Sequence, residues 1–147
     1  MATATFYLLD EIGDDQALAF MCQRVCEHFR NGQRVLVMAN DQRQAEALDE
    51  LLWRLPTDAF VPHNLSTEGG SGSPVEISWH GQPSPGPRQV VINLSDEAPA
   101  AAARAQLVID VVPQHESKRA LARQRFKQYR QLGLQLNTIQ ASLAVNE

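Results

Sequence analysis

Short apolar runs alternate with amphipathic segments in the first part of the chain. The runs TFYLL at 5–9 and RVLVMA at 34–39 predict two buried strands, and the second should be covered on both faces of a sheet. Apolar residues between them recur with the spacing of one helix face, at Leu18, Met21, Cys22, Val25 and Phe29. A second helix, capped by Asn40 or Asp41, is predicted to end near Arg54. This strand–helix–strand–helix order is typical of a right-handed βαβ unit.

The second part of the chain continues the same class of fold. Three further apolar runs predict strands, VEISW at 75–79, QVVINL at 89–94 and QLVIDVV at 106–112. The alanine-rich stretch at 98–105 predicts a helical connector, and Ser117 is the predicted N-cap of the last helix. We therefore predict an α/β fold, a single domain over residues 1–147 with a mainly parallel sheet flanked by helices in a Rossmann-like topology.

Length and composition are those of an ordinary globular domain. The chain has 147 residues, of which 44% are hydrophobic and 20% charged, and no apolar run is long enough to cross a bilayer. The N-terminus lacks the basic start of a secretory signal, so a cytoplasmic location without a membrane partner is expected. Cys22 and Cys26 are interpreted as free thiols in or near the core, because the histidines show no matching metal-ligand spacing.

The sequence lacks the motifs of a phosphate-binding loop, a nucleophile elbow and a positioned acid/base pair. A phosphate-binding loop needs glycines directly after the first strand, but that strand is followed by DEIGDD, in which four carboxylates surround one glycine. No serine has the glycine spacing of a nucleophile elbow. Adjacent carboxylates such as Asp96 and Glu97 would point in different directions on a helix. We therefore predict no enzyme activity, no cofactor and no metal site.

Positive charge is concentrated in the predicted last helix. Six of the 13 lysines and arginines fall between Lys118 and Arg130, and no acidic residue occurs between Glu116 and Glu147. Helical spacing puts four of these cations on one face, bordered by Phe126, at Arg119, Arg123, Lys127 and Arg130. The opposite face, predicted to pack on the sheet, carries Leu121, Ala122, Tyr129 and Leu132.

Three interpretations of the cationic face remain open. A solvated surface is the simplest, although solvated helices usually mix both signs of charge. Direct binding of single-stranded nucleic acid would use the cations and the ring, but the net charge of −4 weakens long-range attraction to phosphates. An acidic peptide with a hydrophobic end would pair its carboxylates with the arginines. A separate pair of aromatic residues, Trp53 and Phe60, is interpreted either as an anchor of the sheet edge or as a second protein-binding patch.

Five segments of the chain carry a resemblance to a known family. They are ATFYLLD at 4–10, LDELLWRLPTDAFVPHNL at 48–65, PVEISW at 74–79, VIDVVP at 108–113 and ALARQRFKQYRQLGLQLNT at 120–138. On these segments the sequence resembles the chi subunit of bacterial DNA polymerase III. The resemblance covers nearly the whole chain and ends at Thr138, so residues 139–147 are treated as a tail that is free to fray.

The resemblance implies a non-catalytic accessory subunit of the clamp-loader complex. The implied partners are the psi subunit, which would form a heterodimer with it and tether it to the clamp loader, and the C-terminal tail of single-stranded DNA-binding protein, which is acidic and ends in phenylalanine. Nucleic acid would be contacted only indirectly. The implied tail-binding residues are Val112, Arg123, Phe126, Lys127 and Arg130, and the implied psi-facing residues are Trp53 and Phe60. Phe126 stands where related chains have a tyrosine, which keeps the ring and loses the hydroxyl.

Overall fold

Strands and helices alternate through the part of the chain that the computed structural model describes, which is residues 2–13, 16–54, 62–66, 73–82 and 88–141. The strands are β1 (Thr3–Leu8), β2 (Val35–Ala39), β3 (His63–Leu65), β4 (Val75–Trp79), β5 (Val90–Asn93), β6 (Leu107–Val112) and β7 (Gln135–Gln140). The helices are α1 (Ala17–Arg30), α2 (Gln42–Arg54) and α3 (Glu116–Gln131), with a 3₁₀ helix at Ala100–Arg104.

The seven described strands form one sheet in the order β3-β4-β2-β5-β6-β1-β7, and every neighbouring pair is parallel. This confirms the predicted α/β fold with a parallel sheet between helices. β1 and β2, which the sequence joins in one βαβ unit, are separated in the sheet by β5 and β6. Strand order depends on packing between distant segments, which local hydrophobic periodicity does not report.

Helices cover both faces of the sheet and create two cores. α1 and α2 pack on one face, where Phe20 and Val25 are fully buried. α3 and the 3₁₀ helix pack on the other face, where Tyr129 is fully buried. Val37 of β2 belongs to the first core and Leu36 to the second, which explains why this strand is apolar on successive residues.

The predicted helix starts are partly right. Asp41 caps α2, because its Oδ1 accepts a hydrogen bond from the backbone N–H of Gln44 at 2.9 Å. Ser117 is wrong as the cap of α3: the N-cap is His115, whose Nδ1 accepts from the backbone N–H of Ser117 at 3.3 Å. The helix therefore begins before the serine, because an extended histidine supplies the acceptor that serine usually provides. The alanine-rich connector is a short 3₁₀ helix.

Both edge strands and the residues after Thr138 differ from the sequence prediction. β3 and β7 were not predicted, because β3 has three residues and β7 (QLNTIQ) is mostly polar and exposed. The assignment of residues 139–147 to a fraying tail is wrong for its first part. Ile139 and Gln140 complete β7, and the following Ala141 is buried. Residues 142–147 lie outside the described part of the chain.

The predicted inward position of Leu132 is also wrong, since the residue is 49% exposed. α3 ends at Gln131, and Gly133 then turns the backbone at a φ of 90°, which favours glycine. The helical spacing used for the prediction therefore stops before Leu132. Leu134 enters the core in its place.

The cysteines are free and buried, as predicted. Burial, with a smaller contribution from the nearby Cys26, raises the pKa of Cys22 to about 12. Among the residues that the structure describes, no group of three or more histidine, cysteine or acidic side chains could hold a metal ion. None of the described helices is long and apolar enough to span a membrane.

Candidate protein-binding site

The rotation of α3 on the sheet is fixed by a buried ion pair. Asp110 of β6 accepts hydrogen bonds from Arg125 through both carboxylate oxygens, from Nε at 2.8 Å and from Nη2 at 3.0 Å. The same carboxylate accepts from the Tyr129 hydroxyl at 2.8 Å and from Asn93 Nδ2 at 3.1 Å. Arg125 also donates to the backbone carbonyls of Asp96 and Val111. Burial, and next the charge of Asp110, raise the pKa of Tyr129, so its hydroxyl stays protonated and donates.

The six cations of the last helix lie in three different environments. Arg125 lies in the core and pairs with Asp110. Lys118 lies at a crevice at the carboxyl ends of β2, β5 and β6, where it pairs with Asp96 at 3.0 Å. The remaining four lie on the predicted outward face, together with Phe126. We call this set the basic flank: Arg119, Arg123, Phe126, Lys127 and Arg130.

The cations of the basic flank are weakly engaged by the protein's own acids. Arg119 approaches Asp10 at 3.6 Å, and Arg123 approaches Glu116 at 3.5 Å with 64% of its side chain exposed. Such long pairs between partly or largely exposed side chains are worth little in water. Lys127 and Arg130 are exposed, and neither has an ion-pair partner in the described ranges. Most of this positive charge is therefore available to another molecule.

Phe126 is partly packed and partly covered by a cation. Its ring centroid lies 5.4 Å from that of Phe6 in β1, and the guanidinium of Arg130 lies 5.2 Å from the ring centroid. Val112, at the end of β6, is half-buried in the same apolar cluster. The structure thus brings Val112 and Phe126 into one cluster beneath α3, with Arg123, Lys127 and Arg130 on the helix above it.

The side of α3 opposite the basic flank carries uncharged residues. Leu121, Gln124 and Gln128 line a shallow groove between α3 and the 3₁₀ helix. This side carries no cation, so it offers neutral positions on the same helix for comparison with the basic flank.

Trp53 is exposed at the other edge of the sheet. It lies near the C-terminal end of α2, the residue is 57% exposed, and its ring centroid lies 4.5 Å from that of His63 in β3. The Nε2 atom of His63 lies 3.3 Å from Asp49 Oδ1. Trp53 therefore contacts His63 of the edge strand and leaves more than half of its surface exposed. Phe60, predicted to share this surface, lies outside the described residues.

The sequence predicts the outward cationic face but not the hydrogen-bond network beneath it. The sequence groups Arg125 with the other cations of the helix, although its side chain is buried in the core. The available signal was Asp110, a carboxylate in the middle of the apolar run LVIDVV, because a buried carboxylate requires a cation or several donors.

Comparison with known proteins identifies the family. The family model described as DNA polymerase III chi subunit, HolC, matches residues 1–137. The DNA polymerase III subunit chi of Escherichia coli (strain K12) is 43% identical over 143 residues, which cover 94% of this chain and 97% of that protein. The proteins of the same name from Haemophilus influenzae and Pseudomonas aeruginosa are 36% identical over 137 residues and 30% identical over 136 residues. Each alignment covers 92% of this chain, with 95% of the Haemophilus and 94% of the Pseudomonas protein. With this coverage, the chain belongs to the family of chi subunits of DNA polymerase III, which serves DNA replication.

Proposed function

We propose that this chi-family chain is a non-catalytic connector between two proteins of the replication machinery. Its basic flank binds the acidic C-terminal tail of single-stranded DNA-binding protein. The surface around Trp53 binds the psi subunit, which tethers the chain to the clamp loader. Contact with single-stranded DNA is then indirect, through the protein that coats it.

The basic flank is the observation that carries this proposal. An acidic tail ending in an aromatic residue needs cations that are not already neutralised and an apolar neighbour for the ring. Arg123, Lys127 and Arg130 supply the cations, and Phe126 and Val112 supply half-buried apolar surface next to them. Each exposed pair should contribute about 0.2–1 kcal/mol, so binding depends on several pairs and on the apolar contact together.

The missing hydroxyl at Phe126 does not remove the apolar contact. The ring is held between Phe6 and Arg130, so its position depends on packing and on the adjacent cation rather than on a hydrogen bond. We expect the tail's terminal ring to gain from this surface by area burial.

The separation of the two surfaces supports a connecting role. α3 packs next to β7 and β6, whereas Trp53 contacts β3, and β3 and β7 are opposite edges of the sheet. Six strand spacings separate these edges, roughly 29 Å. Two partners can therefore occupy their surfaces at the same time.

Calorimetric titration with two peptides tests the tail-binding role. One peptide is acidic and ends in phenylalanine, and the other is the same peptide without that residue. We expect the first to bind with an affinity that falls as salt is added, and the second to bind at least tenfold more weakly. Tight binding of bare single-stranded DNA, without preference for the intact peptide, would instead support direct nucleic-acid binding by the same flank.

A further inference from the structure

The outer edge of β7 has no strand partner in the part of the chain that the structure describes. On its inner side β7 pairs with β1, where the N–H groups of Gln135 and Ala141 donate to Ala2 and Leu8, each at 3.0 Å. Backbone groups alternate in direction along a parallel strand. The N–H and C=O groups of Leu136, Thr138 and Gln140 therefore point away from the sheet.

This edge lacks the features that usually prevent another strand from pairing. Proteins protect exposed edges with lysine, proline, bulges or very short strands. β7 has six residues, QLNTIQ, with no charge, no proline and no glycine. Its side chains are exposed apart from the half-buried Leu136.

The basic flank lies beside this edge. Leu136 packs in the same cluster as Phe126 and Phe6, and Phe6 is the register partner of Thr138. Arg119 reaches Asp10, which follows β1 in the chain, so the flank faces the β7 side of α3. Along a strand added outside β7, every second side chain would lie on the α3 face of the sheet, below the cations.

We propose that the acidic peptide binds as an additional strand on β7. The peptide's main chain forms hydrogen bonds with the outward N–H and C=O groups of Leu136, Thr138 and Gln140. Alternate carboxylates of the peptide pair with Arg123, Lys127 and Arg130. The proposal rests on the tail-binding function and specifies how the peptide is held. Charge selects the occupant, because the edge is neutral, the adjacent helix face is cationic, and no acid follows Glu116 before Glu147.

Amide hydrogen exchange by NMR on the full chain tests this mode of binding. The probe is the acidic peptide ending in phenylalanine. We expect saturation to slow the exchange of the Leu136, Thr138 and Gln140 amides at least tenfold. The Asn137 and Ile139 amides already face β1 and should change little.

The outcomes separate this inference from the function on which it rests. Peptide binding without slower exchange at the three outward amides overturns the added strand and leaves tail binding intact. Absence of peptide binding overturns both. Outward amides that are already protected in the free protein also overturn the inference, because the edge would then be occupied by the chain itself or by a second copy.

A matched pair of variants gives a second readout. Thr138→Pro removes an outward N–H without removing a bond to β1, and edge strands tolerate proline. Thr138→Val keeps that N–H. We expect Thr138→Pro to weaken peptide binding about tenfold and Thr138→Val to stay within about twofold, with urea unfolding showing both variants folded. Equal affinities of the two variants would contradict the proposal.

Discussion

Arg123 and Arg125 show how two arginines on one helix serve different purposes. Arg125 points into the protein and donates two hydrogen bonds to Asp110. Arg123 extends into solvent, and its Nη1 atom lies 3.5 Å from the Glu116 carboxylate. The free energy of unfolding should therefore depend on the first, and binding on the second. Composition and charge density cannot distinguish them, because the partner of Arg125 lies on β6.

We predict that Arg125→Ala lowers the free energy of unfolding by about 3–5 kcal/mol, because it leaves the buried Asp110 carboxylate without its cation. Arg123→Ala should lower it by less than about 1 kcal/mol, since that pair is long and exposed. Urea unfolding of both variants measures the difference. Similar losses for the two would contradict the assigned roles of the Asp110 pair and the exposed flank.

At the scale of elements, local hydrophobic periodicity predicts individual strands and helices. The strands β2, β4, β5 and β6 are rich in apolar residues, and the cationic face of α3 follows helical spacing, so the sequence predicts these elements. Strand order, the edge strands and the packing of Arg125 depend on residues far apart in the chain. β7 in particular is a strand because β1 offers it a parallel partner, although its own sequence is mostly polar.

Trp53, near the end of α2, is the residue on which the proposed psi-binding surface can be tested. Trp53→Ala should abolish or strongly reduce co-purification of the psi subunit, because a large exposed aromatic is the kind of residue that dominates an interface. Arg43→Ala, an exposed change at the other end of α2, is the control and should retain psi. A stable psi complex with the Trp53 variant would reject this surface as the psi site.

At the scale of the whole molecule, an acidic chain carries a cationic surface on α3. The net charge is −4, yet the basic flank has no acid within α3 beyond Glu116. Long-range attraction to phosphates is therefore weak, while short-range pairing with carboxylates at the flank is retained. Both candidate surfaces lie at edges of the sheet, which leaves the two cores to stabilise the fold.

The pH dependence of stability follows from the buried thiol. Burial raises the pKa of Cys22 from its ordinary value of 9.0 to about 12, so the folded protein keeps a proton that the unfolded chain releases. This contribution to stability is fully present below pH 9 and is lost as pH rises from 9 towards 12, at about 1.4 kcal/mol per pH unit. Burial and the charge of Asp110 raise the pKa of Tyr129, which acts in the same direction.

Urea unfolding at pH 8, 9.5 and 10.5 should thus show the free energy of unfolding decreasing above about pH 9. Cys22→Ala removes one source of this decrease and should give a shallower slope, whatever its stability at pH 8. An unchanged slope in the variant would contradict the assignment to Cys22.

The most direct test of the central claim compares the two sides of α3. An acidic peptide ending in phenylalanine is titrated calorimetrically into the wild-type chain, the Arg123→Ala/Lys127→Ala variant and the Gln124→Ala/Gln128→Ala variant. If the basic flank receives the peptide, the first variant binds about tenfold more weakly and the second stays within about twofold of the wild type. Equal affinities for both variants would show that the peptide binds elsewhere or not through charge.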